Sequence, residues 1–166
     1  TKTIKGEVKI TYNIIKQPDS KIKMQIDLQE PMKINQVFSN DGQTVSVMKT
    51  STGGGSNLHQ LPRQLKFTRQ GNVYYIKGAP SKNNIDSITI EFSGKPRAAV
   101  NPPWDGGWIW GKDAKGRPWT TVACQGLGAS VWYPCKDHQS DEPDNGASLS
   151  ITVPDSLAAV GNGRLA

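Results

Sequence analysis

The two histidines are the first residues to consider as metal ligands or general bases. A catalytic metal ion usually needs three protein ligands, and His59 and His138 lie far apart in the sequence without His-x-x-x-His spacing. We interpret His59, beside a glycine-rich segment, as a surface residue, and we regard His138 as the better candidate ligand. The sequence therefore predicts no metal site in this chain.

Nucleophilic catalysis needs a serine or cysteine that a neighbouring base activates. The available side chains are Ser130, Ser140, Cys124 and Cys135, and the base would have to be His138. The chain contains no Gly-x-Ser-x-Gly elbow, and nothing in the surrounding residues supports a Cys–His pair. We therefore predict no catalytic residue in this chain. The two cysteines are either paired with each other or buried as thiols, and the sequence leaves both readings open.

An acidic cluster surrounds His138. Its members are Asp137, Asp141, Glu142 and Asp144. Calcium prefers such oxygen ligands, but the spacing differs from the Asp-x-Asp-x-Asp-Gly loop of calcium-binding hands. We favour a polar turn whose carboxylates accept hydrogen bonds from nearby backbone N–H groups, and a bound ion is the alternative.

Five tryptophans fall within 29 residues of the chain. They are Trp104, Trp108, Trp110, Trp119 and Trp132. Large aromatic side chains often fill the core beneath a long loop, and this is the reading that we favour. The functional alternative is an aromatic platform for a sugar or a peptide.

The elements that must position these residues are β-strands. Apolar residues recur with a period of two, as expected for half-buried strands. They are Val8, Ile10, Tyr12, Ile14, Ile22, Met24, Ile26, Leu28, Val45, Val47, Val73, Tyr75, Ile88, Ile90 and Phe92. No segment has a sustained 3.6-residue period, so we predict an all-β, antiparallel fold with little or no helix.

Turn-forming residues separate these strands. Residues 17–20 form a turn sequence, and residues 40–42 and 70–72 are expected to close hairpins. Residues 50–56 read as a surface loop within the domain. From residue 99 to 144 the chain becomes rich in Trp, Gly and Pro, which predicts a long irregular insert, before strand alternation returns at Leu149, Ile151 and Val153.

The net charge of +6 does not by itself indicate a nucleic-acid partner. Lysines such as Lys9, Lys16, Lys21, Lys23 and Lys33 alternate with apolar residues, which is typical of the solvent-facing side of a sheet. We expect no nucleic-acid partner, and the absence of an apolar stretch of about 20 residues predicts no membrane span. We predict no secretion signal within these residues, and the strand-like start at Thr1 is compatible with a signal already removed from a precursor.

One stretch resembles a known family. In residues 124–137 (Cys-Gln-Gly-Leu-Gly-Ala-Ser-Val-Trp-Tyr-Pro-Cys-Lys-Asp), Gln125 is followed by Ala129 four positions on and by Pro134 and Cys135 at nine and ten. This spacing, with the Asp-Glu-Pro of residues 141–143, resembles a signature of the aminopeptidase N family of zinc metallopeptidases. Residues 94–98 and 153–157 are also similar to the first domain of that family. Ser130 stands where the family often has Arg, and extra residues precede Asp-Glu-Pro, so the equivalent acid is ambiguous.

The resemblance implies that residues 1–166 are the N-terminal domain, incomplete at its C-terminal end, of a longer aminopeptidase. Such a domain is a saddle-like β-sandwich that packs against a downstream thermolysin-like catalytic domain. That catalytic domain supplies a His-Glu-x-x-His motif, a further Glu ligand and the Zn²⁺, so we expect no cofactor in this chain. The expected partners are the catalytic domain and peptide substrates.

The resemblance also gives Gln125 a role. Gln125 would anchor the substrate α-amine, because its side-chain oxygen accepts a hydrogen bond from an ammonium group; Gly126 and Leu127 would form part of the pocket wall. From the residue type alone, Gln125 reads as a polar side chain bonded to a neighbouring strand. The rival function is a non-catalytic β-sandwich module that binds carbohydrate or peptide through its tryptophans.

Overall fold

The fold is built from short strands. The computed structural model describes residues 2–16, 23–41, 44–50, 56–79 and 85–164, with strand positions but no side chains for 44–50 and 56–60. The strands are β1 (Ile4–Asn13), β2 (Met24–Asp27), β3 (Lys33–Ser39), β4 (Thr44–Thr50), β5 (Ser56–Pro62), β6 (Lys66–Gln70), β7 (Val73–Lys77), β8 (Ile85–Gly94), β9 (Gly107–Lys112) and β10 (Pro118–Ala123). The described residues contain one 3-10 turn, Ala129–Val131, and no α-helix. The prediction of an all-β fold with little or no helix is confirmed.

Two three-stranded antiparallel sheets carry the core. In the first sheet β8 lies between β1 and β3, and in the second β7 lies between β2 and β6. The buried apolar side chains of both sheets and their connections form one cluster. Its members are Ile26, Leu28, Met32, Ile34, Val37, Leu65, Tyr74, Ile76, Ile88, Ile90 and Phe92. The two sheets therefore share one hydrophobic core, as in a β-sandwich.

The predicted alternation of β1, β2 and β8 is confirmed. On β8, Ile88 and Ile90 are fully buried, and they stand opposite Ile10 and Val8 of β1 in the antiparallel register. The intervening residues of β1 are exposed. Pairs of this kind, with branched side chains directly opposite each other, are the unit that stabilises a sheet.

The predicted inward face of β7, which carries Val73 and Tyr75, is not the face that the structure buries. Tyr74 and Ile76 are the buried residues, while Val73 and Tyr75 are half-buried. All four residues are apolar or aromatic, so a period of two does not indicate which face points inward. Packing against the opposite sheet decides the face.

Of the two predicted hairpin turns, one is confirmed and one is wrong. Residues 70–72 close the β6–β7 hairpin as predicted, with Gln70 opposite Val73 and a positive φ of 60° at Gly71. The expected hairpin at residues 40–42 is wrong, because β3 pairs with β8 and β4 pairs with β5. The chain thus passes from β3 to a strand of a different sheet, and residues 42 and 43 lie outside the described residues. Residues 17–20 and 51–55 lie outside the described residues.

The segment after residue 99 differs from the predicted irregular insert. It contains an antiparallel hairpin, β9–β10, and a parallel bridge joins Ala98 to Trp108 at its base. The Asp105 carboxylate supports this base by accepting hydrogen bonds from the backbone N–H groups of Val100 (2.7 Å) and Asn101 (2.9 Å). The apolar alternation in residues 107–123 is weak, so the sequence did not predict this hairpin.

The strand predicted around Leu149, Ile151 and Val153 is wrong. This segment has no regular structure, and Leu149 and Ile151 are 59% and 46% exposed. Alternation produces a strand only when a neighbouring strand supplies hydrogen bonds, and none of the described strands pairs with this segment.

Two further observations concern partners. Lys9, Lys16, Lys23 and Lys33 are exposed, while Lys21 lies outside the described residues. In the part of the chain that the structure describes, no helix is long and apolar enough to cross a membrane.

Candidate functional site

The segment that carries the family-like spacing forms a turn directly after β10. The backbone N–H groups of Leu127 (3.2 Å) and Gly128 (2.9 Å) both donate to the carbonyl oxygen of Cys124. The turn then passes into the 3-10 turn Ala129–Val131. Positive φ angles at Gly126 (73°) and Gly128 (82°) allow the chain to reverse here. Gln125 and Gly126 therefore lie at the tip of a tight reversal.

Gln125 is exposed, and its side chain makes no hydrogen bond with any residue that the structure describes. Gly126 is exposed as well, whereas Leu127 is half-buried. The Leu127 side chain lies beside Gly106, where an added Cβ would be 2.7 Å from the Leu127 Cβ. The arrangement leaves the amide oxygen of Gln125 available to a ligand. The assignment of Gln125, Gly126 and Leu127 as a substrate site stays a prediction.

Gln29, in the connection between β2 and β3, holds this turn through hydrogen bonds. Its side-chain amide nitrogen donates to the carbonyl oxygen of Leu127 (2.6 Å) and to the hydroxyl of Ser130 (3.1 Å). Its backbone N–H also donates to the carbonyl oxygen of Ser130 (2.9 Å). The sequence did not predict a role for Gln29, because about a hundred residues separate it from the turn. No motif in the residues around Gln29 indicates this contact.

Asp137 is a second side chain that holds the turn. Its carboxylate accepts the backbone N–H of Ser130 (3.1 Å) and packs directly against Gly128, at a position that a Cβ would occupy. The backbone N–H of Asp137 in turn donates to the Asp27 carboxylate (3.2 Å). Asp27 and Cys135 also exchange two backbone hydrogen bonds, of 2.8 and 3.1 Å. The turn is therefore docked onto the end of β2.

The remaining acids of the cluster behave differently. Asp141 forms an exposed ion pair with Lys136 (2.7 Å), while Glu142 and Asp144 face solvent. Asp137 is half-buried and bonded to the turn, so its role differs from that of Asp141. Among the described residues, no three His, Cys, Asp or Glu side chains are grouped as a metal ion requires.

The two histidines do not join the turn. The ring of His138 is exposed, and its Nδ1 lies 2.8 Å from the hydroxyl of Ser140 and accepts the backbone N–H of the same residue (3.2 Å). This contact within three consecutive residues closes a local turn. The Ser130 hydroxyl is buried and bonded to Gln29 instead. His59 lies on β5 opposite Val47, and its side chain is outside what the structure describes.

Cys124 and Cys135 are free, half-buried thiols. Burial raises the pKa of Cys124, although a hydrogen bond from Trp132 opposes this. Burial, with the nearby carboxylates of Asp137 and Asp27, raises the pKa of Cys135 from 9.0 to about 12. Since the thiolate is the nucleophilic form, both thiols are poorly suited to catalysis at neutral pH.

The tryptophans divide into two groups, and none belongs to the hydrophobic core. Trp108 stacks on Trp110 with ring centroids 5.2 Å apart and meets the edge of Trp132 at 5.9 Å. These three rings are half-buried. Trp104 and Trp119 are 69% and 62% exposed. The expected core position is therefore wrong: Trp104 and Trp119 are mostly exposed, and the other three form a half-buried cluster outside the core.

Comparison with known proteins identified no relative of this chain. Neither models of protein families, nor curated proteins, nor solved structures gave a match to the chain. The spacing in residues 124–143 and the geometry of the turn are therefore the features that bear on function.

Proposed function

We propose that this chain is the first domain of a zinc-dependent aminopeptidase and that Gln125 binds the α-ammonium group of the peptide substrate. The observation that carries the proposal is the exposed, unbonded side chain of Gln125 on a turn that Gln29 and Asp137 hold in place. A recognition group has to be both available and fixed, since its ordering otherwise costs binding free energy. The side chain of Gln125 is available, and the backbone that carries it lies on a turn held by Gln29 and Asp137.

The chemistry of the amide suits this task. The Oε1 atom of Gln125 accepts a hydrogen bond from an ammonium group, whereas an N-acetylated peptide has no charged donor to offer. A glutamate at this position would form a charge-assisted bond, which is about twice as strong as a neutral one. Gln125 therefore recognises the free amine without the stronger attraction of a carboxylate.

Zinc belongs, in this proposal, to the downstream catalytic domain. The described residues of this chain bring no three suitable ligands together, so they do not fit a catalytic zinc ion. The catalytic domain is the partner that completes the site, and the contribution of this chain is limited to substrate recognition by Gln125 and the adjoining wall at Gly126 and Leu127.

The test is Gln125→Ala in the complete enzyme. Loss of a hydrogen bond to a charged group costs about 1–3 kcal/mol, so kcat/KM for a free-amine peptide should fall about 5- to 150-fold. Gln139→Ala is the matched control, because Gln139 is also exposed and unbonded in the same part of the chain. An unchanged kcat/KM for Gln125→Ala would refute the proposed role.

Gln125→Glu provides a second, opposite perturbation. We expect this variant to discriminate more sharply between free and N-acetylated forms of the same peptide, because the added negative charge favours an ammonium group. Steady-state kinetics on the paired substrates measure this ratio. A ratio equal to that of the parent enzyme would argue against contact between residue 125 and the substrate amine.

A second candidate function has one observation in its favour. Trp104 and Trp119 expose most of their surface, and exposed aromatic rings are suited to stacking on a sugar or a peptide. Under this hypothesis, the chain is a non-catalytic module that binds carbohydrate or peptide. A change in tryptophan fluorescence on titration with glycans, abolished by Trp119→Ala, would favour this candidate over the aminopeptidase domain.

A further inference from the structure

Gln29 joins the connection between β2 and β3 to the turn that carries Gln125. We infer that Gln29 is a positioning residue, which fixes the turn so that Gln125 points at the substrate amine. This inference rests on the proposed function of Gln125. The contacts behind it are the two hydrogen bonds from the Gln29 amide to Leu127 O (2.6 Å) and Ser130 Oγ (3.1 Å).

Gln29 can hold the turn only because its own backbone is held. The Arg69 guanidinium donates to the carbonyl oxygens of Leu28 (3.4 Å) and Met32 (3.1 Å), on either side of Gln29. The N–H of Met32 also donates to the carbonyl oxygen of Gln29 (3.0 Å), which closes the connection. Leu28 and Met32 are fully buried. The amide of Gln29 is thus attached to the core of the sandwich.

The chemistry of the contact calls for an amide. Both Leu127 O and Ser130 Oγ act as acceptors towards Gln29, and a side-chain NH₂ offers one hydrogen to each. A glutamate at position 29 has nearly the same shape, but its carboxylate donates no hydrogen and would face the Leu127 carbonyl oxygen. A methionine has a similar length and no donor. Both substitutions remove the contact without creating a large cavity.

Gln29 and Asp137 bond different atoms of the same short segment. The Gln29 amide bonds Leu127 O, two residues after Gln125, and also Ser130 Oγ, while Asp137 bonds only the N–H of Ser130. When Gln29 is removed, Asp137 continues to hold Ser130, but Leu127 and the tip of the turn lose their side-chain anchor. Hydrogen bonds weaken steeply with misalignment, so movement of the tip reduces the attraction between Gln125 and an ammonium group.

The first experiment measures the anchor in the chain itself. Amide hydrogen exchange is compared between the parent chain, Gln29→Met and Gln70→Met, since Gln70 is an exposed glutamine on β6. We expect exchange at Leu127 and Gly128 to become about tenfold faster in Gln29→Met, with little change in the control. Equal protection in all three proteins would overturn the inference. Gln29→Glu serves as a second variant where Gln29→Met does not fold.

The second experiment measures the consequence for substrate recognition in the complete enzyme. We compare kcat/KM for a free-amine peptide with that for its desamino analogue, because a general loss of stability lowers both values and leaves their ratio unchanged. We expect Gln29→Met and Gln29→Glu to lower this ratio at least about fivefold, in the direction of Gln125→Ala. Gln70→Met should leave the ratio unaltered.

The outcomes separate the two hypotheses. If Gln125→Ala lowers the ratio and the Gln29 variants do not, the amine site stands and the positioning role of Gln29 is overturned. If Gln125→Ala also leaves the ratio unchanged, the proposed function itself fails, whatever the exchange data show about the turn. If all three variants lower the ratio, both hypotheses are supported.

Discussion

Replacement of Gly128 by alanine tests whether the turn depends on the contact with Asp137. Gly128 has a φ of 82°, in the left-handed region that residues with a Cβ seldom adopt. An added Cβ would also fall inside the van der Waals contact distance of the Asp137 carboxylate. Gly128→Ala thus imposes backbone strain and displaces a group that accepts the N–H of Ser130.

The magnitude follows from these two effects. A left-handed conformation costs an L-residue about 1–2 kcal/mol, and losing a hydrogen bond to a charged acceptor costs about 1.5–3 kcal/mol. Gly128→Ala should therefore lower the free energy of unfolding by about 2.5–5 kcal/mol in total. Gly126→Ala is the matched control, because Gly126 has a similar φ of 73° and nothing lies within 4 Å of its added Cβ.

Urea unfolding monitored by tryptophan fluorescence and circular dichroism gives both free energies. The gain in unfolded-state rigidity on replacing glycine by alanine is common to the two variants and cancels in their difference. We expect Gly128→Ala to be less stable than Gly126→Ala by about 1.5–3 kcal/mol, the share assigned to Asp137. Equal stability of the two variants would refute the reasoning that Asp137 anchors the turn.

Two further predictions follow from pKa values. The pKa of Cys135 rises from 9.0 to about 12, so at pH 8 its alkylation by iodoacetamide should be about 1000-fold slower in the folded chain than in urea; equal rates would contradict the burial of this thiol. Burial, with the nearby carboxylates of Asp86 and Asp41, likewise raises the pKa of Tyr12 from 10.0 to about 12. The fold favours the protonated form of both groups, so their contribution to stability is complete below about pH 9 and is lost as the pH rises towards 12. Tyr12→Phe should therefore lose less stability between pH 9 and 11.5 than the parent chain, as urea midpoints at the two pH values will show; the same loss in both proteins would argue against a role for Tyr12.

Much of the scaffold could be predicted from local sequence patterns. Alternating apolar residues indicated β1, β2 and β8, because a half-buried strand requires this period. Gly71 indicated the β6–β7 hairpin, because a two-residue loop needs a positive φ. These features depend on neighbouring residues alone, and they are the ones that the structure confirms.

The predictions that are wrong concern segments whose local pattern indicates one structure while the long-range strand pairing produces another. Leu149 and Ile151 alternate as a strand would, but no described strand pairs with them. The hairpin expected at residues 40–42 fails because β3 pairs with β8, far along the chain. Hydrogen-bonding partners that are distant in sequence leave no trace in the composition of either segment.

The candidate site also combines features that local sequence predicts with features that depend on long-range contacts. The sequence by itself determined that the chain is built from strands and that Gln125 directly precedes the two glycines Gly126 and Gly128, because side-chain period and glycine content are local properties. Tertiary structure alone decided that Gln29 and Asp137 meet at this turn, that the thiols of Cys124 and Cys135 stay unpaired, and that the side chain of Gln125 faces solvent. These are consequences of how the sheets pack, which brings together groups about a hundred residues apart.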